Sequence, residues 1–206
     1  MATVTFESII PEILPSVPEC TDLIIIRAIR RAAEEFLSKS LIWRVDLEDH
    51  FIILGLPDVE LEAPKSDLRI VQLKTIKIGS KLADVLQIAD AATPPNTTQT
   101  FCSLVDFGRT LRLTPVPVVA ETMKIRAVLS TTSKSTGLDS IVEQEIHEHL
   151  IDGALSRLYA MPGMPWANNT LAATHSAIFS AAIIEVRGLA ENNNGRAVRT
   201  VSYGGI

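Results

Sequence analysis

The apolar residues of this chain change period twice, and that change limits the folds open to it. From Pro18 to Arg44, PECTDLIIIRAIRRAAEEFLSKSLIWR, the residues Ile26, Ile29, Ala33, Phe36 and Leu37 recur at three- and four-residue steps. That is the spacing of one helix face. From Trp43 to Thr131 the period is two, the spacing of strands. From Asp139 to Asn192 the helical spacing returns. A chain of 206 residues in this order brings helices from its two ends together beside a strand-rich middle.

The first long helix has its start signals at Pro18, Thr21 and Asp22, the last suiting the positive end of the helix dipole. Its polar face carries Arg27, Arg30, Arg31, Glu34, Glu35 and Lys39. The spacing predicts pairs Arg30–Glu34, Arg31–Glu35 and Glu35–Lys39 across single turns. Ahead of it, Phe6 to Leu14 reads as one or two helical turns, broken by Pro11 and stopped by Pro15.

The alternating middle divides at turn residues. Val45, Leu47 and Phe51 to Ile53 predict a first strand; Val59 and Leu61 predict a short one between Pro57 and Pro64. LRIVQLKTIKIG, Leu68 to Gly79, predicts a long strand whose alternation slips once, as at a bulge. KLADVLQIA, FCSLVDF, RTLRLTP and MKIRAVLST complete the set. The polar Pro/Thr stretch at 89–99 reads as an insertion or an exposed arm.

After the linker SKSTGLDS, a helix starts at Asp139 or Ser140, with Ser140 and Glu143 at capping-box spacing, and runs to about Ala160. Ile141, Ile146, Leu150, Leu155 and Leu158 are its expected core face. MPGMPW, Met161 to Trp166, makes a corner. A third helix runs from Asn168 to Asn192, with Leu171, His175, Ile178, Ala182, Val186 and Leu189 on one face. Ala172, Ala173, Ala177, Ala181 and Ala182 imply close helix approach. The expected fold is α+β: a three-helix bundle (1–44 and 135–192) with an inserted antiparallel β-sandwich or small barrel (45–134). An extended C-terminal arm (193–206) follows.

Nothing in the sequence points to catalysis. There is no GxSxG, no GxGxxG and no phosphate-binding loop, and no cofactor is expected. EIHEHLID, Glu145 to Asp152, resembles a metal site only in composition. His147 and His149 point about 200° apart on a helix and cannot share one ion, so no metal ligands are expected. The i,i+4 pairs Glu143–His147 and Glu145–His149 fit a solvated face instead. Asp139, Glu143, Glu145, Glu148 and Asp152 occur with no Lys or Arg between them. They read either as a solvated acidic face or as a wall that keeps passing DNA from sticking.

The net charge of −5 argues against broad nucleic-acid affinity. A mean hydropathy of +0.24 fits either an Ala- and Ile-rich core or extra apolar surface buried against other chains. Cys20 and Cys102 match no zinc or redox spacing and read as buried thiols. No basic n-region opens the chain, and no run approaches the roughly 20 apolar residues of a membrane span. The expected site of synthesis is a reducing cytoplasm. In the last residues, Arg196, Val198, Arg199, Thr200, Val201 and Tyr203 combine β-prone side chains with two cations. They read as a frayed end or as a strand that adds to a partner.

Three segments taken together resemble the head-to-tail adaptor (connector, or head-completion) proteins of tailed bacteriophages. They are IIPEILPSVPECTDLIIIRAIRRAAEEFLSKSLIWR, LRIVQLKTIKIGSKLADV and HLIDGALSRLYAMPGMPWANNTLAATHSAIFSAAIIEVRGLA. The resemblance covers Ile9 to about Ala190, with MPGMPW on the corner between the last two helices. Met164 stands where such proteins frequently carry Lys; 89–99 and the C-terminal arm match least. The resemblance implies a structural, non-enzymatic virion protein made in the bacterial host cytoplasm. Its place would be the head–tail junction, in a ring typically of twelve copies. Its partners would be the portal protein and the tail (nozzle, tube or tail-completion) proteins, with genomic DNA passing through the channel. Arg196, Val198, Arg199, Val201 and Tyr203 would form the portal-binding arm, and Glu145, Glu148 and Asp152 would line the channel. The rival expectation is a non-enzymatic β-sandwich module that binds peptide or carbohydrate. An aromatic content of 5% speaks against it.

Overall fold

The computed structural model describes residues 3–86, 101–106 and 109–192. The elements are β1 (Thr3–Thr5), a 3₁₀ turn (Phe6–Ile9), α1 (Ile10–Ile13), a second 3₁₀ turn (Leu14–Ser16) and α2 (Asp22–Ser40). Then come β2 (Arg44–Asp46), β3 (His50–Phe51), β4 (Asp58–Glu60), β5 (Leu68–Ile78) and β6 (Lys81–Leu86). β7 (Phe101–Val105), β8 (Thr110–Thr114), β9 (Thr122–Thr131), β10 (Gly137–Asp139), α3 (Ser140–Tyr159) and α4 (Asn169–Glu191) follow.

The chain is α+β, but it is not a three-helix bundle carrying a β-sandwich or barrel. Among the described residues there are four α-helices, and β1 and β10 close a two-stranded antiparallel ladder beside them. The middle of the chain forms one eight-stranded sheet in the order β2-β9-β5-β6-β7-β8-β4, with β3 also on β9. The reason lies in β5. It hydrogen-bonds β9 along most of its length on one edge and β6 on the other, so the ladder continues through it and does not split into two facing sheets. Among the described residues the outer strands do not meet, and the sheet closes no barrel. β6 and β7 run parallel. Parallel neighbours need a connection of about a dozen residues or more, and the joining stretch runs through 87–100, outside the described residues. The long strand slips register twice, between Ile70 and Gln72 and between Leu73 and Thr75.

Two apolar clusters are buried. The helical one joins Phe6, Ile9, Ile13 and Val17 to α2, α3 and α4; the other lies along the sheet and centres on Ile76, Leu111, Met123 and Ile125. Trp43, between α2 and β2, packs against both. The inward face of α2 is Ile25, Ala28, Ile29, Ala32, Ala33, Phe36 and Leu37, so Ile25 takes the place expected of Ile26. On α3, Ile146, Leu150, Leu155 and Leu158 are buried as the spacing predicts, but Ile141 is 69% exposed. α4 keeps Ala182 and Val186 of its expected face against the core but is otherwise rotated: Ala172, Phe179, Ile183 and Ala190 point inward, while Leu171, Ile178 and Leu189 are exposed.

The helices pack closely at Gly153. A Cβ there would lie 2.5 Å from the Phe179 ring and 2.8 Å from the Ala32 methyl, so only glycine allows this approach. Of the five alanines expected at the helix contacts, Ala172 and Ala182 are buried in the helical core, while Ala173, Ala177 and Ala181 are exposed. Asn168 caps α4 by accepting from the N–H groups of Thr170 and Leu171, both at 3.1 Å. The corner before it turns at Gly163, whose φ of +79° suits glycine, and buries Trp166.

The sheet is fastened to the helices by polar contacts. Arg69 of β5 pairs with Glu34 of α2 at 3.2 Å, and Ser130 Oγ donates to the Glu34 carbonyl at 3.2 Å. Arg44 of β2 donates to the Ala190 carbonyl in the last turn of α4, where a cation complements the helix dipole.

Candidate functional site

The acidic run on α3 is not one solvated face. Asp139 is the N-cap, its Oδ1 accepting from Ile141 N–H at 3.1 Å, so the cap is Asp139 and not Ser140. Glu143 is buried and hydrogen-bonds His147 Nδ1. Asp152 is half-buried and accepts from His175 Nδ1 of α4 at 2.8 Å. Of the run, only Glu145 and Glu148 are exposed and, among the described residues, without an ion-pair partner, one turn apart on the outer side of α3. Of the three residues expected to line a channel, Glu145 and Glu148 share that surface and Asp152 is committed to α4.

The two histidines of EIHEHLID diverge. His147 faces α1, with Nε2 3.0 Å from Glu12. His149 turns the other way and stacks on Phe36, ring centroids 5.4 Å apart, so the expected Glu145–His149 pair does not form. Among the described residues no group of His, Cys, Asp and Glu is arranged to hold a metal ion.

A polar network ties the three long helices on their other side. Arg157 of α3 donates to Glu35 of α2 and to the Gly153 carbonyl, and its guanidinium lies 5.3 Å from the Phe179 ring centroid. Burial pushes the Arg157 pKa down, against the opposing pull of Glu35. Glu35 also receives Lys39 at 2.6 Å, the one expected i,i+4 pair of α2 that forms. Arg30 instead donates to the Ser135 carbonyl at 2.8 Å, and Glu34 turns to the sheet. His175 stacks on Tyr159, whose hydroxyl donates to the Ser16 carbonyl at 3.3 Å. These contacts fix the helices to one another, which is a positioning role and not a chemical one.

Both outer strands of the sheet are held by the same device. Asp46 of β2 lies opposite Arg126 of β9, and Asp58 of β4 lies opposite Arg112 of β8. Each carboxylate takes two parallel guanidinium hydrogen bonds, at 2.7 and 2.9 Å and at 2.8 and 3.0 Å. Those bonds hold both carboxyls below their ordinary pKa range.

A depression of about 1140 Å³ lies between the end of β4, the start of β5 and the turns around Asp106 and Lys134. Its walls mix Glu60, Glu62 and Asp106 with Lys65, Arg69, Arg109 and Lys134, Arg69 being paired with Glu34, so neither sign dominates.

The surface that the sequence reasoning missed is apolar. Phe51 ends β3, Ile53, Leu54 and Leu56 follow it, and Val116, Val118 and Val119 precede β9. All seven are exposed, Val118 to 83% and Phe51 to 75%. The two loops are joined by backbone bonds from Gly55 N–H to Pro117 O at 3.0 Å and from Ile52 N–H to Glu121 O at 2.9 Å. The signal for it was present in FIILGL and VPVV. Consecutive apolar residues alternate between the two faces of an extended chain, so where only one face is covered part of such a run points to solvent. Here Ile52 is buried and its neighbours are not.

Arg196, Val198, Arg199, Val201 and Tyr203 of the expected arm, and the 89–99 stretch, lie outside the described residues. No helix among the described residues is long and apolar enough to cross a membrane. Comparison with protein-family models finds no match, and comparison with curated proteins finds none.

Proposed function

We propose that this chain is a ring-forming structural subunit of the head–tail junction of a tailed-phage virion. In this reading it docks on the portal, extends the DNA channel and presents a platform for tail proteins. The single observation that carries the assembly part is the paired-loop apolar surface of Phe51, Ile53, Leu54, Leu56, Val116, Val118 and Val119. A lone subunit leaves that surface in water, whereas a neighbouring copy covers it. The resemblance of the three sequence segments to head-to-tail adaptors supplies the identity of the assembly.

Glu145 and Glu148 suit the lumen of such a ring, because exposed like charge keeps DNA moving past the wall. Asp152, paired with His175, serves helix packing in this reading. The segment from Arg196 to Tyr203 is the portal-binding arm, on its basic and β-prone composition.

Native mass measurement on the purified chain mixed with the portal ring of the same virus tests the reading. The expected result is a portal carrying a full ring of this chain, typically twelve copies. A chain that remains monomeric beside an unoccupied portal contradicts it.

A further inference from the structure

His147 lies between two carboxylates that come from different parts of the chain. Its Nδ1 meets Glu143 of its own helix, and its Nε2 lies 3.0 Å from Glu12 of α1, more than a hundred residues earlier. A neutral imidazole carries one N–H and one lone pair. It satisfies one carboxylate and turns its lone pair toward the other. Only the imidazolium donates to both at once.

We propose that Glu12, His147 and Glu143 form a proton-dependent clasp, which ties the N-terminal segment around α1 to α3 while the imidazole holds its second proton. The clasp loosens when that proton leaves to solvent. The proposal does not depend on the ring assembly.

The surroundings leave the imidazole to these two acids. Glu12 and Glu143 are the charged groups that act on the ring, and no cation is among them. β1, which packs beside α3, carries no charged residue, and Asp139 of β10 is taken up by the Ile141 N–H. In the 3₁₀ turn after β1, Glu7 is exposed. From α2, Arg30 is held by the Ser135 carbonyl and Glu35 by Lys39 and Arg157. From α4, His175 is paired with Asp152. Partial burial works to lower the His147 pKa, but the bonds to Glu143 and Glu12 outweigh it and the net direction is upward.

The sign follows from that direction. A raised folded-state pKa gives stabilisation that is complete below the unfolded value of about 6.5 and is lost as pH climbs through the folded value. The clasp is therefore shut in mild acid and slack in alkali. Phe6, Ile9, Ile13 and Val17 stay buried throughout and keep the segment from leaving altogether. What changes is how often α1 opens locally.

The test follows the full chain by NMR and amide hydrogen exchange from about pH 5.5 to 9.5, bracketing the ordinary histidine range. The wild-type His147 ring is expected to titrate above the ordinary histidine value, and Glu12→Gln is expected to move that titration downward. Exchange at 10–17, corrected for its intrinsic pH dependence, is expected to quicken several-fold through the same titration, while 28–37 of α2 does not respond. In His147→Gln the exchange at 10–17 is expected to be flat with pH. A ring that titrates at or below the ordinary value, a titration unmoved by Glu12→Gln, or a His147→Gln profile that still follows the wild type overturns the clasp.

Discussion

Gly153 of α3 backs onto Ala32 of α2 so closely that a Cβ on the glycine would sit 2.8 Å from the alanine methyl. Phe179 of α4 closes the third side. Three helices from distant parts of the chain converge on a position that has no side chain. Gly153→Ala is therefore expected to destabilise the fold. Overpacking costs about 1–3 kcal/mol, and the better helix propensity of alanine returns at most about 1 kcal/mol. Urea denaturation with an unchanged m-value checks this. A variant as stable as the wild type would show that the helices part without cost.

Arg157 joins the same three helices through Glu35, the Gly153 carbonyl and the Phe179 face. Arg157→Ala removes charge-assisted bonds worth about 1.5–3 kcal/mol each in buried settings, less here because Glu35 is partly exposed and keeps Lys39. A net loss of about 1–2 kcal/mol is expected from thermal unfolding. Arg157→Lys is expected to recover only part of it, because an ammonium cannot present the planar fork.

The alternating strands were legible in the sequence because a half-buried strand must alternate. β8 and the first part of β9 carry buried apolar residues at two-residue steps, and their positions follow directly, whereas β5 breaks the step at its two register shifts. β1 and β10 are three residues each, too short for any period, and Thr3 pairs with Asp139 across most of the chain. The single continuous sheet was hidden for a similar reason. Which edge of β5 takes β6 and which takes β9 is a non-local choice that alternation does not encode. On α4, alanine occurs all round the helix, so hydrophobic spacing does not define one face; the bulk of Phe179 decided it. At the candidate sites, the divergence of His147 and His149 followed from helix geometry alone, whereas the Glu12 contact needed the tertiary fold.

The paired Asp–Arg bonds at the two sheet edges make a pH prediction. A depressed carboxyl pKa gives stabilisation that is present above the unfolded value of about 3.9 and is lost as pH falls through the folded value. The Asp46→Asn, Asp58→Asn double variant is expected to melt below the wild type near neutral pH. The gap should close on acidification, as the wild type loses what the variant never had. Melting curves taken down to about pH 2.5, below the ordinary carboxylate range, check this. A constant gap would mean that the pairs are merely solvated neighbours.

Replacing Phe51 and Val118 by Ser leaves the fold nearly unchanged, within about 0.5 kcal/mol, because both are exposed. The same double variant is expected to abolish self-association on the portal, as sedimentation of the mixture would show. Normal assembly would mean that this surface faces solvent or a different partner.

Deleting 195–206 is expected to leave the melting temperature unchanged and to remove portal binding in a pull-down. A truncated chain that still binds portal rings would move the docking role elsewhere on the surface.

The most direct test of the proposed assembly is electron cryo-microscopy of the chain mixed with the portal ring that the proposal assigns to it. The account predicts a closed ring coaxial with the portal. In that ring the Phe51–Leu56 and Val116–Val119 loops are buried between adjacent copies, and Glu145 and Glu148 face the channel. A portal with no ring, or a ring that leaves those loops in solvent and turns Glu145 and Glu148 outward, would contradict it.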